Sequence, residues 1–179
     1  MPSQSTATIM RKGSDAAAWV SFICLAAFAI VFVVYTGSYL PETVATHFGI
    51  DGEANGWMTR GGYLLFMLSF MLGVSSFVSL VVGTLPRKFP QWTNVPNRQY
   101  WLAAERRDES LNFLSAHGKR LGCLILMMML GMHYTVLIAN HLRPPTLPAS
   151  TFSSIIIGFA LALVWWIVRL YRRFAKPKD

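Results

Sequence analysis

Between Ala16 and Pro41 the chain carries no charged side chain, and none appears again from Gly61 to Pro86. Apolar runs of that length suit a helix that crosses a bilayer: at 1.5 Å per residue, about 20 residues cover a hydrocarbon layer of ~30 Å. A cleaved leader is the other way to read the first run. Its apolar part, however, exceeds the ~7–15 residues of a leader's core, and no Ala-x-Ala step follows. The first run is therefore expected to be a retained helix.

Two further runs complete the pattern. Four spans are expected at about residues 18–39, 62–85, 121–140 and 151–171, within a membrane domain over 16–175. Residues 1–15 read as an unstructured cytoplasmic tail and 176–179 as a cytoplasmic end. The connections are an outer loop over 40–61, a cytoplasmic loop over 86–120 and a proline-stiffened outer loop over 141–150. The predicted fold is all-α, a four-span bundle with both termini in the cytoplasm.

Orientation rests on the basic residues. The amino-terminal tail, the 86–120 loop and the carboxy-terminal end hold fourteen of the sixteen Lys and Arg, leaving Arg60 and Arg143 for the other side. A positive cytoplasmic face places residues 40–61 outside. The same distribution argues against nucleic acid as a partner of this +8 chain, because the cations sit at the ends of apolar runs and line no single helix face. The bilayer is the expected partner. Cys24 and Cys123 lie in or beside apolar runs and read as small hydrophobes.

Three constellations could carry chemistry. The outer loop, LPETVATHFGIDGEANGWMTR, gathers His47, Asp51, Glu53 and Asn55 within nine residues, with Trp57 and Arg60 close behind. Asp51-x-Glu53-x-Asn55-Gly56 echoes the start of a calcium loop, but position twelve is Gly62, which has no carboxylate to offer. Turn chemistry at Asp51-Gly52 and Asn55-Gly56 is the plainer reading, with a polar ligand or partner site beside it. Within the third span, His133 and Asn140 are seven residues apart and share a helix face, so both point toward that loop as a floor. A neutral His133 hydrogen-bonded to a neighbouring helix is the structural alternative. In the cytoplasmic loop, Tyr100, Trp101, Glu105, Arg106 and Arg107 suggest a headgroup-level or partner-facing surface, and from Leu102 onward the chain reads as a helix that continues or bends into the third span.

No Gly-x-Ser-x-Gly, HExxH, P-loop or GxGxxG pattern occurs, so no enzyme activity, cofactor or metal is expected.

Leu40-Pro41, Thr46-His47-Phe48, Gly52-Glu53 and Asn55-Gly56-Trp57 resemble a bacterial membrane family, domain of unknown function 1648, also found in SdpI-like immunity proteins. The resemblance covers about residues 20–75, with Asn94 to Arg98 and Tyr100 to Leu102 similar to a cytoplasmic segment of some members. It departs at Ala45, where a second proline is expected. The resemblance implies a loop between two spans, and, from the immunity members, recognition of a secreted peptide. The expectation is a bacterial inner-membrane protein whose outer loop binds a ligand, peptide or extracytoplasmic partner. An accessory subunit of a larger membrane complex, offering Gly73, Ser75, Ser76 and Ser79 as a close-approach face, is the alternative. A metal-dependent enzyme using His47, Asp51 and Glu53 is a third reading, short of the three firm ligands that catalytic zinc requires.

Overall fold

The computed structural model describes residues 4–175. The elements run α1 (Gln4–Gly37), β1 (Thr43–Phe48), β2 (Ala54–Thr59), α2 (Arg60–Ser79), a π-helical turn (Leu80–Thr84), α3 (Leu85–Lys88), a 3-10 turn (Pro90–Trp92), α4 (Arg98–Trp101), α5 (Arg107–His141) and α6 (Ala149–Phe174). Among the described residues, four stretches are long and apolar enough to cross a membrane: Asp15–Gly37, Arg60–Lys88, Arg107–His141 and Ala149–Phe174. The chain is a four-span helical membrane protein. Its large exposed side chains include Val31, Phe66, Phe77, Leu161 and Val164, an apolar exterior that only lipid or another protein would cover.

The helical backbone differs from expectation at three places. It begins at Gln4, where an unstructured tail was expected, because adding residues to an existing helix avoids the nucleation cost; residues 1–3 and the expected cytoplasmic end at 176–179 lie outside the described residues. Near the end of the second span, Pro86 does not close the helix. A proline has no N–H for the carbonyl four residues back and its ring crowds it. The widened π turn at Leu80–Thr84 meets that demand, and the chain stays helical to Lys88. The third helix begins at Arg107 after turns at residues 102–106, and then continues without a break through the third span.

By contact density the chain divides into two units, and each long helix contributes to both. The first, here the basic unit, comprises residues 1–24, 75–123 and 162–179. It holds fourteen of the sixteen Lys and Arg. Its helices meet along a seam of small residues. A side chain at Gly83 would lie 2.9 Å from the Ser115 carbonyl oxygen, and one at Gly118 would lie 2.6 Å from the Gly83 nitrogen. One at Gly122 would collide with Ser79 Oγ. Small residues at four-residue spacing let helix backbones touch, which is how helices associate where no water is available to drive them together. Ser75 and Ser79 are buried in this seam, so they are not a face for an external subunit. Gly73 and Ser76 remain exposed.

A second cluster of this unit packs Val95, Trp101, Leu111, Leu114 and Phe174 together. Trp101 Nε1 donates to the Phe174 carbonyl at 3.0 Å, and Asn97 Nδ2 donates to the Phe174 and Ala175 carbonyls, both at 2.9 Å. These donors satisfy the carbonyls that the end of α6 leaves without helical partners.

The other unit, residues 25–74 and 124–161, contains the hairpin of β1 and β2. The strands are antiparallel, with Thr43 opposite Thr59, Val44 opposite Met58, Ala45 opposite Trp57 and Phe48 opposite Ala54. No strand was expected in the 40–61 loop. Close helix contacts here are made at Gly37, which abuts the Leu64 side chain, and at Gly131, where a side chain would meet Ile155 at 2.9 Å.

Candidate functional site

The hairpin is built from a tight turn and two irregular strands. Gly52 has φ +83°, a conformation that glycine adopts without strain. Gly49 N donates to Glu53 O at 2.8 Å and Gly52 N to Gly49 O at 3.0 Å. Asp51 Oδ1 accepts the Glu53 N–H at 3.0 Å, so this carboxylate is spent on its own turn. Glu53 forms an isolated bridge to Thr146, and Leu147 N donates to Gly52 O at 2.9 Å. The expected proline-stiffened connector therefore supports the hairpin's turn.

The pairing slips on either side of His47. A side chain at Gly56 would come within 2.7 Å of His47 Cβ, so a glycine opposite the histidine is a packing requirement. His47 Nδ1 is hydrogen-bonded to Asn55 Oδ1. The Asn55-Gly56 pair, which read as a turn, thus lies within β2 and serves His47, while the turn itself is at residues 49–53.

Beneath the hairpin stands Asn140. Its Nδ2 donates to the Ala45 carbonyl at 2.9 Å and its Oδ1 accepts the Ala45 N–H at 2.8 Å. One carboxamide therefore takes both hydrogen-bonding groups of a buried strand residue, as a neighbouring strand would. Nδ2 also donates to Val136 O within its own helix. Arg60 makes a second clasp. Its Nη1 donates to the Ser38 and Leu40 carbonyls at 2.9 and 3.1 Å, just past the end of α1. Both residues brace the hairpin rather than project from it.

His133 is fully buried and touches the neighbouring helices. Thr36 Oγ1 spends its proton on the Phe32 carbonyl at 2.6 Å, so at 2.8 Å it accepts from His133 Nε2. Nδ1 is then the acceptor for the Tyr63 hydroxyl at 2.7 Å. This is a neutral imidazole with both nitrogens occupied. Asn140 meets the hairpin as a floor; the partners of His133 are Thr36 and Tyr63, with the Phe32 ring edge-on at 6.0 Å.

Exposed on the hairpin are Ile50, Trp57 and the His47–Asn55 pair, with Asp51 and Glu53 at the turn. Ile50 at the turn is fully exposed, and Trp57 is half exposed. Among the described residues no three His, Cys, Asp or Glu side chains gather at one point.

In the basic unit the expected surface separates into layers. Trp101 is buried at 6% exposure, which corrects its placement at the surface: the Phe174 carbonyl takes its N–H, and the ring of Phe174 packs edge-on at 5.8 Å. Arg173 lies over the Trp101 ring at 4.3 Å and pairs with Glu109 at 3.1 Å. Tyr100 is half-buried beneath the Arg106 guanidinium, 4.0 Å from its ring centre. Arg106 is 4.0 Å from Glu105, while Glu105 and Arg107 are exposed.

Two arrangements here had no clear sequence signal. His117 stacks on Trp166 at 4.3 Å, and the pair exchange hydrogen bonds: Trp166 Nε1 donates to the His117 carbonyl at 3.0 Å, and His117 Nε2 to the Trp166 carbonyl at 3.1 Å. Lys119, with a side chain only 3% exposed, pairs with Asp15 at 2.6 Å. Ser115 Oγ lies 2.7 Å from the same ammonium. An Asp and a Lys 104 positions apart offer no local pattern.

Residues 22–73 match a family model described as Domain of unknown function (DUF1648). The match spans the latter part of α1, the whole hairpin and most of α2. No curated protein and no solved structure matches the chain.

Proposed function

We propose that this is a non-enzymatic, multi-pass protein of the bacterial inner membrane whose hairpin faces outward and recognises an extracytoplasmic peptide or protein, in the manner of an immunity or sensor protein. The observation that carries the reading is the contrast within the hairpin. Its base is fixed by Asn140 and Arg60, whereas Ile50 and Trp57 are left exposed. A rigid element that presents an aliphatic and an aromatic side chain loses little conformational freedom on binding, and aromatic side chains are frequent anchors at interfaces. The His47–Asn55 pair and the Glu53 carboxylate supply polar contacts beside them. The outward orientation is supported by the charge distribution, since the hairpin's unit holds only Arg60 and Arg143 among the sixteen basic residues.

Photo-crosslinking in intact cells tests this. A photoreactive side chain at Ile50 or Trp57 should give discrete adducts that Leu161, on the exposed face of α6, does not give. The combined substitution His47→Ala and Glu53→Gln should weaken them several-fold. Adducts from Ile50 and Trp57 no stronger than those from Leu161 would overturn the reading. The alternative, an accessory subunit of a larger complex, draws support from α6, which buries only Trp166 and Phe174. Strong protein adducts from Leu161 would favour it.

A further inference from the structure

The basic unit contains a groove of about 380 Å³, within the size range of small-molecule sites, roughly 300–1,000 Å³. Its walls come from α1 and from the second span through the π turn. Trp19, Phe22, Phe77 and Leu80 make it apolar, and Thr84 and Lys119 make it polar. Phe22 is buried at the floor, while Trp19, Phe77 and Leu80 are exposed along the flank. In a chain that crosses a bilayer, exposed apolar side chains of this kind meet acyl chains.

We infer that this groove holds one anionic phospholipid, an acyl chain lying against Phe22, Phe77 and Leu80 and the phosphate drawn toward Lys119, Thr84 and Arg87. Charge complementarity selects the occupant. Asp15 offsets one positive charge, that of Lys119. Arg87 is close enough to act on the same carboxylate, and its own hydrogen bond goes to the uncharged Asn112. Among the described residues one cation therefore remains uncompensated beside the groove, and Lys88 follows it in the chain. The whole unit has the same bias, fourteen basic residues against five acidic ones. A zwitterionic headgroup would bring its own cation into this surplus; an anionic one would not. The Lys119 ammonium also lies 4.8 Å from the Trp19 ring centre, so the polar end of the groove carries its own optical reporter.

The test uses the full chain in nanodiscs of phosphatidylcholine, with brominated acyl chains introduced on either phosphatidylglycerol or phosphatidylcholine at equal mole fraction. Trp19 emission is taken as the difference between the wild type and Trp19→Phe. Brominated phosphatidylglycerol is expected to quench it at least twofold more than brominated phosphatidylcholine. Ser76→Phe, which fills the groove from an exposed position, should abolish the difference while leaving helix content and melting unchanged. Arg87→Gln, which removes the surplus cation while leaving the Asp15–Lys119 pair in place, should do the same, and supports the test should Ser76→Phe fold poorly. Equal quenching by the two lipids in the wild type overturns the inference. So does a preference that survives in either folded variant.

Discussion

The Asn140 carboxamide holds Ala45 by both of its backbone groups, with Oδ1 2.8 Å from the nitrogen and Nδ2 2.9 Å from the oxygen. Ala45 is fully buried and Asn140 nearly so. A buried peptide group that lost this partner would have no water to replace it, so the side chain of one helix residue decides whether a strand can be seated on the helices at all.

Asn140→Ala is therefore expected to release the hairpin. Leaving the buried N–H and C=O of Ala45 without partners costs about 1–3 kcal/mol. Asn140→Asp keeps an acceptor for the N–H but sets a carboxylate against the carbonyl, so it should not rescue. Asn140→Gln would carry both groups but displaced by a methylene, and should rescue in part. Protease nicking between residues 40 and 60, with the helices left intact, reads the release directly.

The glycines of the membrane helices make opposite predictions. Gly118→Ala forces a methyl group against the Gly83 backbone at 2.6 Å, and backbone cannot swing aside as a side chain can. The helices must part, with a loss of about 1–3 kcal/mol as in overpacked cores. Gly158→Ala meets nothing within 4 Å and removes a poor helix former from α6, which favours the fold by up to about 1 kcal/mol. Melting temperatures of the two variants in the same detergent should move in opposite directions.

How far the sequence could be read depended on the range of the interactions. Charge-free runs report themselves locally, so the four membrane-crossing stretches are legible from hydropathy alone. The hairpin is not. Its strand alternation is interrupted around His47, and the glycine that signals a turn, Gly56, serves instead to make room for that histidine. Trp101 beside Tyr100 and Arg98 has the composition of a membrane-surface segment; its burial depends on Phe174, which is far away in sequence and supplies both a ring and a carbonyl. Asn140 was found as a polar residue on the correct helix face, but its purpose depends on a strand that its own neighbourhood does not encode.

Tyr63→Phe tests the hydrogen-bond directions around His133. The substitution preserves the ring and removes the one donor to Nδ1, leaving a buried acceptor unsatisfied at a cost of about 1–3 kcal/mol. Thr36→Val removes the acceptor for Nε2 in the same way. Because all three residues form one network, the double variant should lose less than the two single losses added together. Strict additivity in the double-mutant cycle would show that Thr36 and Tyr63 do not communicate through His133.

The ion pair of Lys119 and Asp15 predicts an asymmetry of another kind. Lys119→Met removes the cation but leaves a carboxylate held against a packed helix; breaking a buried pair in this way costs up to roughly 3–5 kcal/mol. The figure should fall toward the lower end here, because the Asp15 side chain keeps 25% of its exposure and water can reach the orphaned charge. Asp15→Asn leaves the ammonium with Ser115 Oγ at 2.7 Å and the Trp19 ring, but with no anion, and its side chain is only 3% exposed. Removing the acid should therefore harm the fold more than removing the base. The double variant, Asp15→Asn with Lys119→Met, should recover most of the loss. Thermal unfolding of the three variants in one detergent supplies the comparison, and a double variant less stable than either single one would contradict the pairing.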